Sequence, residues 1–120
     1  MTFVAPTEIQ MPAEYLEKND KIVTELCSEV LTTSDVIYDT RLQKERFEDM
    51  SEYERLREIF VFDAAKVSTM KNDGILMHPL PRINEITLDV DALPQATYFE
   101  QARNGVPIRM ALIARSLGLI

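Results

Sequence analysis

The chain is poor in residues that several large protein classes require. Among its 120 residues are one cysteine, three glycines, one histidine and no tryptophan. The single cysteine, Cys27, has no partner for an intrachain disulfide or a thiolate metal site, which is typical of proteins from a reducing compartment. Three isolated glycines are too few for a G-x-G-x-x-G turn or a Walker-type phosphate loop. Nucleotide-binding families that depend on those loops are therefore excluded.

Cationic residues and long apolar runs are also scarce. The chain has 13 Lys and Arg against 20 Asp and Glu, whereas nucleic acids and anionic membranes require a cationic surface. No apolar run approaches the roughly 20 residues that span a bilayer. We therefore expect a cytoplasmic protein with no nucleic-acid partner and no membrane partner. An anionic small ligand is not excluded, because a few well-placed arginines decide such binding locally.

The sequence does contain short apolar strands that alternate with helical segments. Hydrophobic residues make up 46% of the chain, and Val36–Tyr38 is expected to be a buried strand. Such an alternation predicts an α/β fold, with a parallel sheet covered by helices on both faces. The predicted strands are Thr2–Ala5, Lys21–Thr24, Val36–Tyr38 and Ile75–Met77.

The helical segments carry recognisable start and stop signals. Ser51 to Glu54 fits a capping box for a helix that ends near Glu58. Asp63 is expected to cap the next helix. Further on, two separate helices are predicted, Ala96–Asn104 and Ile108–Leu117, with Gly105 in a left-handed conformation between them.

Two loops that follow predicted strands are candidates for the chemistry, because ligands of open α/β sheets bind outside the carboxyl ends of the strands. The first loop runs from Thr40 to Arg46. Arg41 and Gln43 are two residues apart in an extended segment, so their side chains point to the same side, and a guanidinium fork with an amide donor suits a carboxylate. The alternative is a solvated basic loop that makes surface ion pairs.

The second loop, Pro79 to Pro81, follows Ile75–Met77. Its two prolines fix φ and remove two donors, so the carbonyls of the turn can accept from an amine or amide ligand, and Leu80-Pro81 is the candidate for a cis bond. The alternative is a merely rigid loop. His78, the only histidine, is predicted to be a structurally hydrogen-bonded imidazole rather than a general base.

Two further patterns have ordinary structural interpretations. Asp89-Val90-Asp91 has the spacing of a hard-metal loop, but no glycine turn and no later bidentate Glu follow it, which favours turn and capping roles. An apolar stripe over Met110, Ile113 and Leu117 is expected to serve in core or interface packing.

Three long segments together show a resemblance to a known family. Residues 34–47 read SDVIYDTRLQKERF, residues 77–86 read MHPLPRINEI, and a third segment runs from Val90 to Leu112. In this order they are similar to the aspartate-binding lobe of aspartate carbamoyltransferases. The sister ornithine enzymes typically carry a cysteine inside the second loop, where this chain has Pro79, so the aspartate branch is favoured.

The resemblance implies a reaction and residue roles. The family moves the carbamoyl group of carbamoyl phosphate onto the amine of L-aspartate early in pyrimidine synthesis, without a metal or organic cofactor. Arg41 and Gln43 would bind an aspartate carboxylate, and Glu45 and Arg46 would join the contacts that close two lobes. The carbamoyl-phosphate side would be served by the Leu80 carbonyl and by Pro79 and Pro81, with Leu80-Pro81 cis.

The resemblance also implies what the chain lacks. The family's Ser-Thr-Arg-Thr phosphate loop, its lysine loop and its carbamoyl-polarising histidine belong to a separate carbamoyl-phosphate lobe. Residues 1–120 would be the C-terminal, aspartate-binding lobe, a three-layer Rossmann-like sheet without its first strand and helix. We expect it to be inactive alone and to work in a homotrimer, with a larger pyrimidine-pathway assembly as a further option. Asp39 stands where an apolar residue is more usual.

Two other functions stay open on the residues alone. One is a non-catalytic module that binds an amino acid or dicarboxylate for regulation or assembly. The other is a generic α/β scaffold with no ligand, in which Arg41 and Gln43 have no binding role.

Overall fold

The computed structural model describes all 120 residues. It contains four short strands, four α-helices and several 3₁₀ turns, and strands and helices alternate along the chain as predicted. The chain is thus an α/β protein with parallel strands. The strands and helices, in chain order, are β1 (Thr2–Val4), β2 (Lys21–Val23), α1 (Ser28–Thr33), β3 (Val36–Tyr38), α2 (Met50–Leu56), α3 (Ala64–Val67), β4 (Ile75–Met77) and α4 (Tyr98–Ser116).

The four strands form two parallel pairs rather than one continuous sheet. β1 pairs with β2, placing Phe3 opposite Ile22. β3 pairs with β4, placing Ile37 opposite Leu76. No ladder joins β1 or β2 to β3 or β4, so the single parallel sheet expected from the sequence is present as two separate pairs.

The core lies around β4. Leu76 and Val67 are completely buried, and Tyr98 at the start of α4 closes the cluster. Only 15 of the 120 residues are buried, so much apolar surface stays in contact with solvent. The expectation that β3 is buried is wrong for two of its residues, because Val36 and Tyr38 are both more than half exposed. Leu31, Phe62, Met70, Ile86 and Val90 complete the buried cluster.

Of the three predictions about where helices begin or end, one is confirmed and two are wrong. Asp63 caps α3, accepting the Lys66 N–H at 2.8 Å. The capping box at Ser51 is wrong, since Asp49 caps α2 and accepts from the Ser51 N–H at 2.8 Å. The helix therefore begins at Met50, before the capping box, and Ser51 lies inside its first turn.

The break predicted at Gly105 is also wrong. α4 runs unbroken for 19 residues through Gly105 and Pro107, because the loss of one N–H donor at a proline leaves the remaining helical bonds in place. Beyond the last helical residue, Ser116, Gly118 has a φ of +69°. Leu119 and Gly118 donate to the carbonyls of Ala114 and Arg115 at 2.9 and 3.1 Å, which is a Schellman termination.

The stripe of Met110, Ile113 and Leu117 on α4 lies open to solvent. No helix of the structure has both the length and the apolar character needed to cross a membrane.

Candidate functional site

A large open cleft lies at the carboxyl ends of β1 and β3. Its volume is about 970 Å³, and three arginines line it: Arg41, Arg46 and Arg57. Its walls come from the end of β1, the segment after β3, α2, and residues 83–85. Strand ends meet there as the topology requires, so the cleft occupies the position where open α/β sheets bind ligands.

The first candidate loop contributes directly to this cleft. Arg41, Gln43 and Arg46 all line it. The Arg41 guanidinium is about one-third exposed and lies 3.5 Å from the Glu45 carboxylate. Such a long, solvated ion pair contributes little, and Arg41 therefore remains free to exchange Glu45 for another carboxylate.

The second candidate loop is built as predicted but does not line the cleft. The Leu80-Pro81 bond is cis, and Leu80 has a φ of +48°, a region that a non-glycine residue adopts only where its surroundings hold it. The Leu80 N–H donates to His78 Nδ1 at 2.9 Å. The cleft wall does not include Pro79, Leu80 or Pro81.

His78 has the structural role predicted for it. Its Nδ1 accepts from Leu80, so the ring proton of the neutral imidazole sits on Nε2, which lies 2.9 Å from the Glu85 carboxylate. The His78 N–H donates to Gln101 Oε1 on α4 at 2.9 Å. Burial lowers the pKa of His78, which keeps the ring neutral at neutral pH.

Glu85 connects the second loop to the cleft, and the sequence reasoning assigned it no role. It is buried and lines the cleft wall. Its carboxylate accepts the Ile83 N–H at 3.2 Å and the Asn84 N–H at 3.1 Å, besides facing His78. Only its place in the same cleft wall as the segment after β3 identifies it, because its sequence neighbourhood resembles an ordinary turn.

A second polar cluster anchors the residue that follows the cis bond. The Arg82 guanidinium binds both oxygens of Asp91, with Nη2 to Oδ2 at 2.6 Å, and its Nη1 donates to the Tyr98 hydroxyl at 2.8 Å. The hydrogen bond from Arg82 lowers the pKa of Asp91. Burial and Asp91 raise the pKa of Tyr98 to about 12. Arg82 also lies over the ring of Phe99.

The acidic pair at residues 89 and 91 has turn and pairing roles. Asp89 accepts from Thr87 and from the Ala64 N–H that opens α3, which is the capping role predicted. Asp91 instead pairs with Arg82, which local sequence did not indicate. No three His, Cys, Asp or Glu side chains of the structure come together as a metal site.

The fold and the cleft define a class of protein: an α/β domain with a cationic loop and an arginine-lined cleft at the carboxyl end of its parallel strands. Comparison with known proteins specifies it further. Residues 1–115 match the family model described as "Aspartate/ornithine carbamoyltransferase, Asp/Orn binding domain". The chain belongs to this family.

Individual relatives agree with that assignment. The chain is 45% identical over 121 residues to an aspartate carbamoyltransferase catalytic subunit of Clostridium perfringens, and 48% identical over 122 residues to that of Thermoplasma acidophilum. These matches cover 96% and 98% of this chain but 39% and 40% of the relatives. The chain therefore spans about two fifths of the length of these proteins.

Solved structures show the same pattern. The chain is similar to aspartate transcarbamoylase from Trypanosoma cruzi in complex with carbamoyl phosphate, with a TM-score of 0.82, 41% identity, and 93% of this chain and 39% of that chain covered. The catalytic subunit of M. jannaschii aspartate transcarbamoylase gives a TM-score of 0.83 at 41% identity, covering 96% of this chain and 40% of that chain. The α/β fold class predicted from the sequence is confirmed by these neighbours.

Proposed function

We propose that residues 1–120 supply the aspartate-binding half of an aspartate carbamoyltransferase active site. The complete reaction transfers the carbamoyl group of carbamoyl phosphate to the amine of L-aspartate and yields N-carbamoyl-L-aspartate and phosphate, a step of pyrimidine synthesis. The observation that carries the proposal is that Arg41, Gln43 and Arg46 line one cleft in a chain whose family is the carbamoyltransferases.

Each loop has a distinct role in this proposal. Arg41 binds a carboxylate of aspartate through two parallel N–H donors, and Gln43 adds an amide donor. The Leu80 carbonyl, held in place by the hydrogen bond from the Leu80 N–H to His78, accepts from the carbamoyl amine and steers the attacking amine, with Pro79 and Pro81 holding the turn. Glu45 releases Arg41 when substrate binds, and with Arg46 it closes the two lobes.

The other half of the site comes from a carbamoyl-phosphate-binding lobe. The Leu80 loop lies outside the cleft that Arg41 lines, so a second body must bring the two substrates together. Holding two substrates together in one closed site lowers the activation barrier by roughly 7 to 11 kcal/mol. A single lobe that binds one substrate lacks this contribution. We propose a cytoplasmic homotrimer as the working form, with a larger pyrimidine-pathway assembly as an extension of it.

An assay of product formation tests this proposal. The 120-residue chain alone is expected to form no carbamoylaspartate, and a polypeptide that also contains the carbamoyl-phosphate lobe is expected to form it. In that polypeptide Arg41→Ala should lower kcat/KM for aspartate by roughly ten- to a hundredfold, the loss of about 1.5 to 3 kcal/mol from charge-assisted hydrogen bonds. Arg103→Ala, an exposed arginine on α4, is the matched control and should change nothing.

A non-catalytic dicarboxylate-binding module is the second candidate, because this chain forms the arginine-lined cleft without the Leu80 loop. Calorimetry with succinate and with N-(phosphonacetyl)-L-aspartate separates the two functions. Tighter binding of the phosphonate compound only when the second lobe is present supports the enzyme. Equal binding of both compounds by the chain alone supports the module, and turnover by the chain alone contradicts the proposed half-site.

A further inference from the structure

Asp39 has an unusual place in the cleft. Its backbone N–H donates to the Met77 carbonyl at 2.9 Å, which fixes it at the end of the β3–β4 ladder. The side chain lines the cleft together with Arg41 and Gln43. The carboxyl oxygen Oδ2 is inaccessible to solvent and has no hydrogen-bond partner. A buried carboxylate oxygen without a donor is costly, and protonation lowers that cost by removing the charge.

The negative charge of Glu85 makes protonation of Asp39 more favourable still. Glu85 receives N–H donors from Ile83 and Asn84 and faces His78 Nε2, so its negative charge is well compensated. Asp39 has only the Thr40 N–H in favour of its ionised form. When two carboxyls share a site, the proton settles on the one with fewer donors. Burial, reinforced by the charge of Glu85, raises the pKa of Asp39 to about 7.

The other charged groups around the cleft do not offset this effect. Arg41 lies two residues away and is drawn toward Glu45, and His78 is neutral because burial lowers its pKa. The remaining charged groups of the wall have both signs and come from the turn after β1, the basic loop, and the start and end of α2: Glu8, Arg46, Glu48, Asp49, Glu52 and Arg57.

We propose that Asp39 sets the pH range in which this cleft accepts a dicarboxylate, binding it with the Asp39 carboxyl protonated and rejecting it when that carboxyl is ionised. This inference rests on the proposed function of Arg41 and Gln43. An ionised Asp39 places a negative charge in the same cleft as the ligand carboxylate, where it repels the ligand and competes for Arg41. A neutral Asp39 does neither and offers an O–H donor.

Proton linkage gives the sign of the effect. A dianionic ligand favours the protonated form of Asp39, so binding above pH 7 takes up as much as one proton. Affinity then falls by up to about tenfold for each pH unit above about 7. The same group affects folding: its folded pKa is raised, so its contribution to stability is full below the ordinary Asp pKa and is lost as pH rises toward 7.

The test uses succinate as the probe and calorimetry on the chain from pH 5.5 to 8.5, in buffers of different ionisation enthalpy to count protons. Wild type is expected to bind more weakly as pH rises above 7, with proton uptake. Asp39→Asn, which stays neutral, should bind with little pH dependence and no uptake, and Asp39→Leu checks that result in a variant without a polar group. Asp73→Asn, an exposed aspartate, should behave as wild type.

The outcomes are distinct. A pH profile for Asp39→Asn that matches wild type overturns the inference and leaves the dicarboxylate site standing. Absence of succinate binding in wild type and in Asp39→Asn at every pH overturns the proposed site and the inference with it. A ¹³C NMR titration measures the pKa of the Asp39 carboxyl in the chain without ligand. A titration midpoint near 4 overturns the inference whatever the binding data show.

Discussion

At the scale of single residues, two polar clusters meet the loop that contains the cis bond. His78 and Glu85 hold it from one side, with the His78 ring accepting the Leu80 N–H. Arg82 holds it from the other side through Asp91 and Tyr98. Under the proposed function the Leu80 carbonyl meets a reacting amine, and such fixation serves that role because small displacements from productive geometry are costly in rate.

The Arg82 cluster gives a prediction about stability. Arg82→Leu leaves Asp91 and the buried Tyr98 hydroxyl without their shared donor and should lower the free energy of unfolding by about 2 kcal/mol. The lowered pKa of Asp91 means that the Asp91 contribution is present above the ordinary Asp pKa and is lost as pH falls through the lowered value. Urea denaturation followed by circular dichroism measures both effects.

The matched control for that measurement is Arg103→Leu on the exposed surface of α4, which should change stability by less than about 0.5 kcal/mol. Equal losses for the two variants would show that the Arg82 cluster contributes nothing beyond an exposed arginine.

At the scale of helices and strands, local signals succeeded where one side chain serves its own helix end. Asp63 caps α3 because its oxygen reaches the Lys66 N–H within one turn. The break predicted at Gly105 is wrong because glycine weakens a helix only locally, and the hydrogen bonds of the surrounding 19-residue helix outweigh that cost. Whether a helix continues depends on the free energy summed over all its residues, and a local sequence pattern does not provide that sum.

The cap of α3 provides the prediction at this scale. Asp63→Ala should lower the free energy of unfolding by about 1 kcal/mol, because the Lys66 N–H loses its acceptor. Asp63→Asn keeps an acceptor oxygen in place and should stay close to wild type. Chemical denaturation of both variants is the measurement, and a loss in Asp63→Asn as large as in Asp63→Ala would assign the effect to charge rather than capping.

At the scale of the whole molecule, the notable property is the amount of apolar surface left open. The stripe on α4 is exposed, with Met110, Ile113 and Leu117 each 61% to 68% accessible. Isolated exposed apolar residues are ordinary, but a continuous stripe on a long helix is typical of an interface. The lobe-to-lobe packing proposed for the working enzyme would cover this stripe.

The exposed stripe makes the chain alone prone to self-association. Sedimentation velocity is expected to show larger species as concentration rises, and Ile113→Glu should shift the distribution toward monomer by placing a charge in the interface. Ala111→Glu adds the same charge on the opposite side of α4 and should change association little. A monomer at all concentrations in the wild-type chain would be the contrary result.

How much the sequence could predict differs between fold and site. Strand positions, the α/β class, the cis bond and the structural role of His78 followed from residues acting over a few positions, where proline geometry and apolar runs dominate. The residues that share the cleft with Arg41 could not be predicted, because Glu85 and Arg57 come to the cleft wall from distant parts of the chain. No local pattern encodes which distant side chains meet.

The sequence by itself thus determined the strand–helix alternation and the two loops that carry the motifs, since local backbone preferences and short-range spacing specify them. Only the tertiary structure decided that the Leu80 loop lies outside the arginine-lined cleft, that β3 is largely exposed, and that Asp39 shares the cleft wall with Glu85 with its Oδ2 atom inaccessible to solvent. Those are matters of solvent exclusion and of charges brought together through space, and both depend on how the elements pack.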